Sequence, residues 1–254
     1  VVLITGDELP LLRFDGEHLV LCGEVDKPIH VVDRLIDIYE LAEWAHPGMA
    51  PIVDAYLTGA IDTVNTFKQF LDEKEWMALF WEDGLRTYWE ETLGEHDEVL
   101  RDLCPRTWRM TPGLRVELAD GRRVSLEQLA DLPQEERSFV SKESGTSTTS
   151  SGAQSVELLS ELTSEEVREL VAERTSPSTP FILQETVESA RIDFEALNPN
   201  GNVVVWQSGA RVKMSAFYVD SQLTDIKFIA SNKQFTVNDS QCLECVVRYG
   251  KEGV

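Results

Sequence analysis

A lysine at the end of an apolar run, followed by a loop of small residues, is the feature of this sequence most suited to binding phosphate. Residues 139–156 read FVSKESGTSTTSSGAQSV, with Lys142 at the end of the run. Loops of glycine and hydroxyl residues let backbone N–H groups approach an anion closely, and a lysine adds a point charge. A solvated surface turn has the same composition. On this stretch alone, both interpretations remain open.

Further polar residues lie where short apolar runs end. Gln184 and Glu185 follow the run FIL, Arg34 ends IHVVDR, and Lys74 lies within the acidic stretch DEKE. Arg211 begins RVK, where two cations alternate and therefore share one face of a strand. Each of these residues also has a purely structural interpretation. Gln184 and Glu185 could be a strand end that turns polar, and Arg34 part of a helix-start cluster. Lys74 could belong to a salt-bridged helix end, and Arg211 to a solvated sheet face.

The elements that must position these residues are short strands and helices. RFDGEHLVL and LRVELADGRRVSL each place an Asp-Gly pair between apolar positions, which predicts two hairpins. Between residues 35 and about 103, apolar residues recur at helical spacing, with a strand or turn at YLTGAIDTVN. Ser125 with Gln128, and Thr163 with Glu166, have the spacing of capping boxes and predict two helix starts.

The phosphate-loop candidate lies between two predicted strands. RSFVSK precedes the loop, and residues 153–159 follow it and can continue as the next strand, which makes the loop a hairpin tip rather than a linker. FILQETV, NVVVWQ, ARVKMSAFYVD and DIKFIAS predict further strands toward the C-terminus.

The composition argues against nucleic-acid and membrane partners. The chain has 254 residues, 42 % of them hydrophobic, and a formal charge of -22 without a basic stripe, which argues against binding nucleic acid. It has no apolar run long enough for a membrane span and no basic signal-peptide start, so a cytoplasmic location and no membrane partner are expected. Cys242 and Cys245 form a single Cys-x-x-Cys pair, for which reduced structural thiols are expected.

Five stretches, taken in order, resemble the ATP-grasp superfamily, and in particular its circularly permuted, glutathionylspermidine synthetase-like branch. They cover most of the chain from about residue 25 to about residue 220: IHVVDRLID, VNTFKQFLDEKEWMALF, CPRTWRM, FVSKESGTSTTSSGAQSV and PFILQETV. The resemblance implies an α+β, ATP-grasp-like fold with mixed and antiparallel sheets, flanking helices and a nucleotide held between two subdomains. Residues 1–112 would form the N-terminal α/β portion, and residues 113–254 the nucleotide-binding portion with a Ser/Thr/Gly lid loop.

The resemblance also implies roles for individual residues. Arg34 would be catalytic, because it would neutralise charge on an acyl-phosphate intermediate. Gln184 and Glu185 would recognise the adenine edge and the ribose. The other predicted cofactor-binding residues would contact the nucleotide or its phosphates, and they are Lys74, Lys142, Ser144, Gly145 and Arg211.

The activity that the resemblance implies is that of an ATP-dependent carboxylate–amine ligase, which forms an amide through an acyl phosphate with ATP and Mg²⁺ as cofactors. Its substrates would be a small-molecule or peptide carboxylate and an amine. The sequence contains no clear copy of the family's Glu-x-Asn metal motif, so the metal ligands are not assigned. The motif would also be missing from a fragment of a longer protein, or from a non-catalytic module that binds nucleotide or a partner protein.

Overall fold

The computed structural model describes residues 8–33, 49–64, 73–145, 148–150, 154–176, 179–197, 203–219, 222–231 and 243–247. Over these residues the chain is α+β, with antiparallel sheets, one parallel strand pair and flanking helices. It divides into two compact units, Val1–Trp76 with Ser144–Thr148 and Met77–Glu143 with Thr149–Val254. The described helices are all too short or too polar to cross a membrane.

The first unit contains small sheets and one helix. The Asp-Gly hairpin predicted at RFDGEHLVL is confirmed, because the first two strands pair antiparallel around that turn. Leu19 and Ala55 lie at the centre of the apolar core. The strands are β1 (Leu12–Phe14), β2 (Leu19–Leu21), β3 (Lys27–Ile29), β4 (Val31–Asp33) and β5 (Asp62–Val64), and the helix is α1 (Ala50–Leu57).

Five further helices are described. Both predicted capping boxes are confirmed. The Ser125 hydroxyl accepts from the Gln128 backbone N–H, and the Thr163 hydroxyl accepts from the Glu166 backbone N–H. In each pair the Gln or Glu side chain accepts in turn from the backbone N–H of the capping residue. The helices are α2 (Glu75–Trp81), α3 (Arg86–Leu93), α4 (His96–Leu103), α5 (Leu126–Leu129) and α6 (Ser164–Arg174).

The strands of the second unit form a central sheet, a hairpin and a C-terminal sheet. The strands are β6 (Thr107–Arg109), β7 (Arg115–Glu117), β8 (Arg123–Ser125), β9 (Phe139–Glu143), β10 (Glu157–Leu158), β11 (Phe181–Glu185), β12 (Arg191–Leu197), β13 (Val203–Val219), β14 (Gln222–Ser231) and β15 (Leu243–Val247). The central sheet has the order β10-β9-β11-β6, the predicted Asp-Gly hairpin is β7 with β8, and the C-terminal sheet has the order β12-β13-β14-β15.

The predicted hairpin around the Ser/Thr/Gly loop is confirmed, because β9 and β10 pair antiparallel. Strand β10 is shorter than predicted and covers Glu157–Leu158. Within the loop the structure describes a short 3-10 turn at Thr148–Ser150, whereas residues 146–147 and 151–153 lie outside the described part of the chain.

The central sheet turns one face to the core and the other toward polar side chains. Phe139 and Leu183 are buried in a cluster with residues of α5 and α6. Because side chains alternate along a strand, Lys142 and Gln184 lie on the opposite face. The antiparallel pairing of β9 with β11 therefore brings the lysine of one predicted site segment next to the glutamine of another.

Candidate functional site

Three side chains on adjacent strands of the central sheet form a continuous hydrogen-bonded row. Lys142 Nζ donates to Gln184 Oε1 at 2.6 Å, across β9 and β11. Gln184 Nε2 donates to Thr107 Oγ1 of β6 at 2.9 Å. Thr107 Oγ1 in turn donates to the carbonyl of Pro105 at 3.0 Å. We call Lys142, Gln184 and Thr107 the polar row.

The polar row fixes the orientation of the glutamine amide. Thr107 and Gln184 are 1 % and 5 % exposed, and Lys142 is half-buried. Because the Thr107 hydroxyl donates to a carbonyl, its oxygen is an acceptor for the amide nitrogen, which leaves the amide oxygen facing the ammonium group. Met77 Sδ lies 3.3 Å from the same amide nitrogen. The row therefore presents a cation held by a buried, oriented amide, beside the buried apolar side chain of Ile182.

Replacement of Thr107 by valine is expected to disturb the row without changing its volume. The valine would leave Gln184 Nε2 without its hydroxyl acceptor, and an unsatisfied buried group costs about 1–3 kcal/mol. Thr107→Ser keeps the hydroxyl and should lose less stability. Urea unfolding measures both variants, and the side-chain amide resonance of Gln184 should shift in the valine variant but little in the serine variant. Equal stability and equal Gln184 resonances in the two variants would show that the hydroxyl does not hold the amide.

Glu185 lies on the other face of the same strand. Its register partner is Phe139, on the core side of the sheet. Burial raises the pKa of the Glu185 carboxyl above its usual range, and the nearby Arg106 guanidinium opposes that rise by a smaller amount. The predicted pair of adenine-recognising residues is thus divided between two faces, and Gln184 alone of the two contacts Lys142.

The raised pKa of Glu185 predicts a pH-dependent effect of Glu185→Gln. At low pH the carboxyl is protonated in both folded and unfolded chains and contributes nothing. As pH rises, the unfolded chain loses this proton first, so the free energy of unfolding falls until pH exceeds the raised folded-state pKa. Glutamine cannot ionise, so the variant should be more stable than wild type at about pH 7, and the difference should shrink toward about pH 4. Urea titrations across this range test it, and a less stable variant at neutral pH would contradict it.

Three predicted site residues lie in the first unit. Ser144 is fully buried, and its hydroxyl donates to Glu73 Oε2 and accepts from the Glu75 backbone N–H, each at 2.9 Å. Its hydroxyl is therefore engaged at the start of α2. Lys74 lies in the turn before that helix, and Gly145 follows Ser144; both are half-buried and have contacts of their own. Binding of phosphate by these three residues stays a prediction.

Arg211 and Arg34 are the remaining predicted site residues. Arg211 is half-buried in β13, a strand of the C-terminal sheet. Arg34 lies outside the described residues, so its catalytic role stays a prediction. The loop strand is held locally: the Glu143 backbone N–H donates to Ser155 Oγ at 3.1 Å, and Thr149 Oγ1 donates to Glu143 Oε2 at 2.6 Å.

No group of three or more His, Cys, Asp or Glu side chains among the described residues could hold a metal ion. The magnesium site that the family resemblance implies stays a prediction.

Comparison with protein-family models and with curated proteins gave no match for this sequence. Thr107 is the residue of the site that sequence reasoning missed. The stretch CPRTWRM pointed to its neighbourhood, but the contact with Gln184 follows from strand register, which brings together residues far apart in the chain.

Proposed function

We propose that the chain binds ATP on the Lys142 face of the central sheet and acts as an ATP-dependent carboxylate–amine ligase with an ATP-grasp-like fold. The observation that supports this most is the 2.6 Å hydrogen bond between Lys142 Nζ and Gln184 Oε1. It joins the predicted phosphate-loop strand to the predicted adenine-binding strand. A triphosphate needs a positioned cation, and a base edge needs oriented polar groups beside an apolar wall.

The residues of this face suit the first requirement of the ligase reaction, which is charge neutralisation. A substrate carboxylate would take the terminal phosphoryl group, ADP would leave, and an amine would then displace phosphate from the acyl phosphate to form an amide. Lys142 would hold the phosphates by charge, with Gln184 keeping the ammonium in position, and the proposed partner for charge on the intermediate is Arg34. A cation held in a partly dehydrated site attracts phosphate oxygens more strongly than the same cation in water.

Calorimetry with ATP and with GTP, each with and without magnesium, tests the binding step. We expect ATP to bind more tightly than GTP, because PFILQETV resembles the hinge strand that contacts adenine in the ATP-grasp superfamily. A folded protein that gives no heat with millimolar ATP would contradict the proposal.

The catalytic step has its own test. Release of ADP and phosphate is measured with a panel of carboxylates and amines, and formation of the amide is followed by mass spectrometry. Tight ATP binding without turnover by any pair would favour the alternative, a non-catalytic ATP-grasp-like module that binds nucleotide or a partner protein.

A further inference from the structure

The helical segment 77–103, which includes α3, α4 and the end of α2, buries few of its own side chains. All of its residues are described, and the buried ones are Ala78 and Asp97. Its aromatic side chains mainly contact one another: Phe80 lies 5.7 Å from Trp89 between ring centroids, and Tyr88 lies 5.0 Å from Trp89. A segment with this composition and so little burial has apolar surface available for a partner.

In helix α4 a charged pair is buried and two aliphatic residues are exposed, which is the reverse of an ordinary surface helix. Asp97 is 3 % exposed, and its Oδ2 accepts from Arg101 Nε at 2.8 Å, while the Arg101 guanidinium stacks on the Phe80 ring at 4.5 Å. Val99 and Leu103 are instead 55 % and 72 % exposed. A surface helix usually directs its apolar residues inward and its charges outward. In α4 the ion pair faces the protein and the aliphatic pair faces solvent.

Val99 and Leu103 are four residues apart, so they are neighbours on one face of α4. Exposed carboxylates flank them: Glu98 and Asp102 within α4, and Glu95 at its N-cap. Segment 77–103 as a whole carries eight acidic residues against two arginines. We call Val99 and Leu103 with these three carboxylates the α4 face.

The charge of the α4 face distinguishes between classes of occupant. A second copy of this chain would bring an equally acidic helix against it, and like charges opposed across an interface cost free energy. A partner helix with an aliphatic stripe bordered by lysine or arginine would cover Val99 and Leu103 and pair with the carboxylates. Charge complementarity therefore favours a cationic partner over a second copy.

We propose that the α4 face is a docking surface for a cationic amphipathic helix of another protein. Val99 and Leu103 are the apolar anchors, and Glu95, Glu98 and Asp102 select the sign of the partner's charge. The buried Asp97–Arg101 pair supports the arrangement, because it attaches the inner side of α4 to Phe80 while the outer side stays available. This surface shares no residue with the polar row.

Fluorescence anisotropy with the full chain tests the surface. The probe is a fluorescein-labelled synthetic helix with leucine on one face and lysine on the other, and the matched probe replaces each lysine by glutamate. We expect the lysine probe to bind, to weaken at least tenfold between about 0.05 M and about 0.5 M NaCl, and the glutamate probe not to bind. Val99→Ser combined with Leu103→Ser should weaken the lysine probe at least tenfold, and Glu98→Gln with Asp102→Asn should reduce its salt dependence.

A double variant at exposed apolar positions outside segment 77–103 supplies the control. Leu57 and Val187 are 74 % and 67 % exposed, and Leu57→Ser with Val187→Ser should leave probe affinity unchanged. Far-UV circular dichroism confirms that all variants are folded. Equal affinity of the lysine probe for wild type and the Val99/Leu103 variant would overturn the proposal. So would a wild-type dimer in sedimentation velocity that the Val99/Leu103 variant abolishes, because the occupant would then be a second copy.

Discussion

Arg137→Ala is expected to lower the free energy of unfolding by about 3–5 kcal/mol, because it leaves several buried backbone carbonyls without a donor, each at a cost of about 1–3 kcal/mol. Arg137 is 3 % exposed and donates to backbone carbonyls: Nε to Leu132 at 2.9 Å, Nη1 to Leu162 at 2.8 Å and Nη2 to Ala130 at 2.9 Å. Alanine would leave these carbonyls unpaired in the space that the guanidinium filled. The contacts join the end of α5 to the start of α6, so both helices would lose their attachment.

A matched arginine tests whether the effect comes from burial rather than charge. Arg168 is half-exposed and pairs with Asp131 and Glu165 at the surface, so Arg168→Ala should change stability little. Arg137→Lys should fall between wild type and Arg137→Ala, because one ammonium cannot reach all the carbonyls that the planar guanidinium reaches. Guanidinium chloride unfolding measures all three variants. A loss for Arg137→Ala no greater than for Arg168→Ala would contradict the assignment.

Lys142→Ala is expected to weaken ATP binding about 10- to 150-fold, which corresponds to the 1.5–3 kcal/mol of a hydrogen bond to a charged group. The proposal places the Lys142 ammonium against the phosphates, and alanine removes both the charge and the donor. The pairing of β9 with β11 is made by backbone groups and does not depend on the Lys142 side chain, so it should survive. Calorimetry with ATP measures the change, and circular dichroism confirms the fold.

The control for Lys142→Ala removes the same charge elsewhere. Lys27 is exposed in β3, and Lys27→Ala should leave ATP affinity unchanged. This comparison matters in a chain with a formal charge of -22, because any lost cation makes the overall field more repulsive to ATP. Equal weakening in the two variants would assign the effect to net charge and not to the polar row.

Elements defined by neighbouring residues could be predicted from the sequence. The capping boxes at Ser125 and Thr163 need partners three residues away, and the Asp-Gly hairpins need one turn between two apolar runs. The lysine-bearing strand and the loop hairpin were predicted for the same reason. Such features depend on local hydrogen bonds and on side-chain period, both of which are visible in a short window of sequence.

Features that depend on register and on packing could not be predicted. The contact of Gln184 with Thr107 spans 77 positions and exists because β11 pairs with both β9 and β6. Glu185 faces away from Lys142 because successive side chains alternate, which the sequence resemblance alone did not show. Helical spacing predicted a helix near α4, but an ion pair four residues apart faces inward there, and periodicity does not reveal which side of a helix is covered.

Hydrogen exchange with and without saturating Mg-ATP most directly tests nucleotide binding on the Lys142 face. We expect slower exchange with ATP in Phe139–Glu143 and Phe181–Glu185, and in the loop residues that follow Lys142, because backbone N–H groups there would be shielded or donate to phosphate. Val203–Val219 in the C-terminal sheet serves as the internal reference and should change less. Unchanged exchange in both Phe139–Glu143 and Phe181–Glu185 at an ATP concentration shown by calorimetry to saturate the protein would contradict the account.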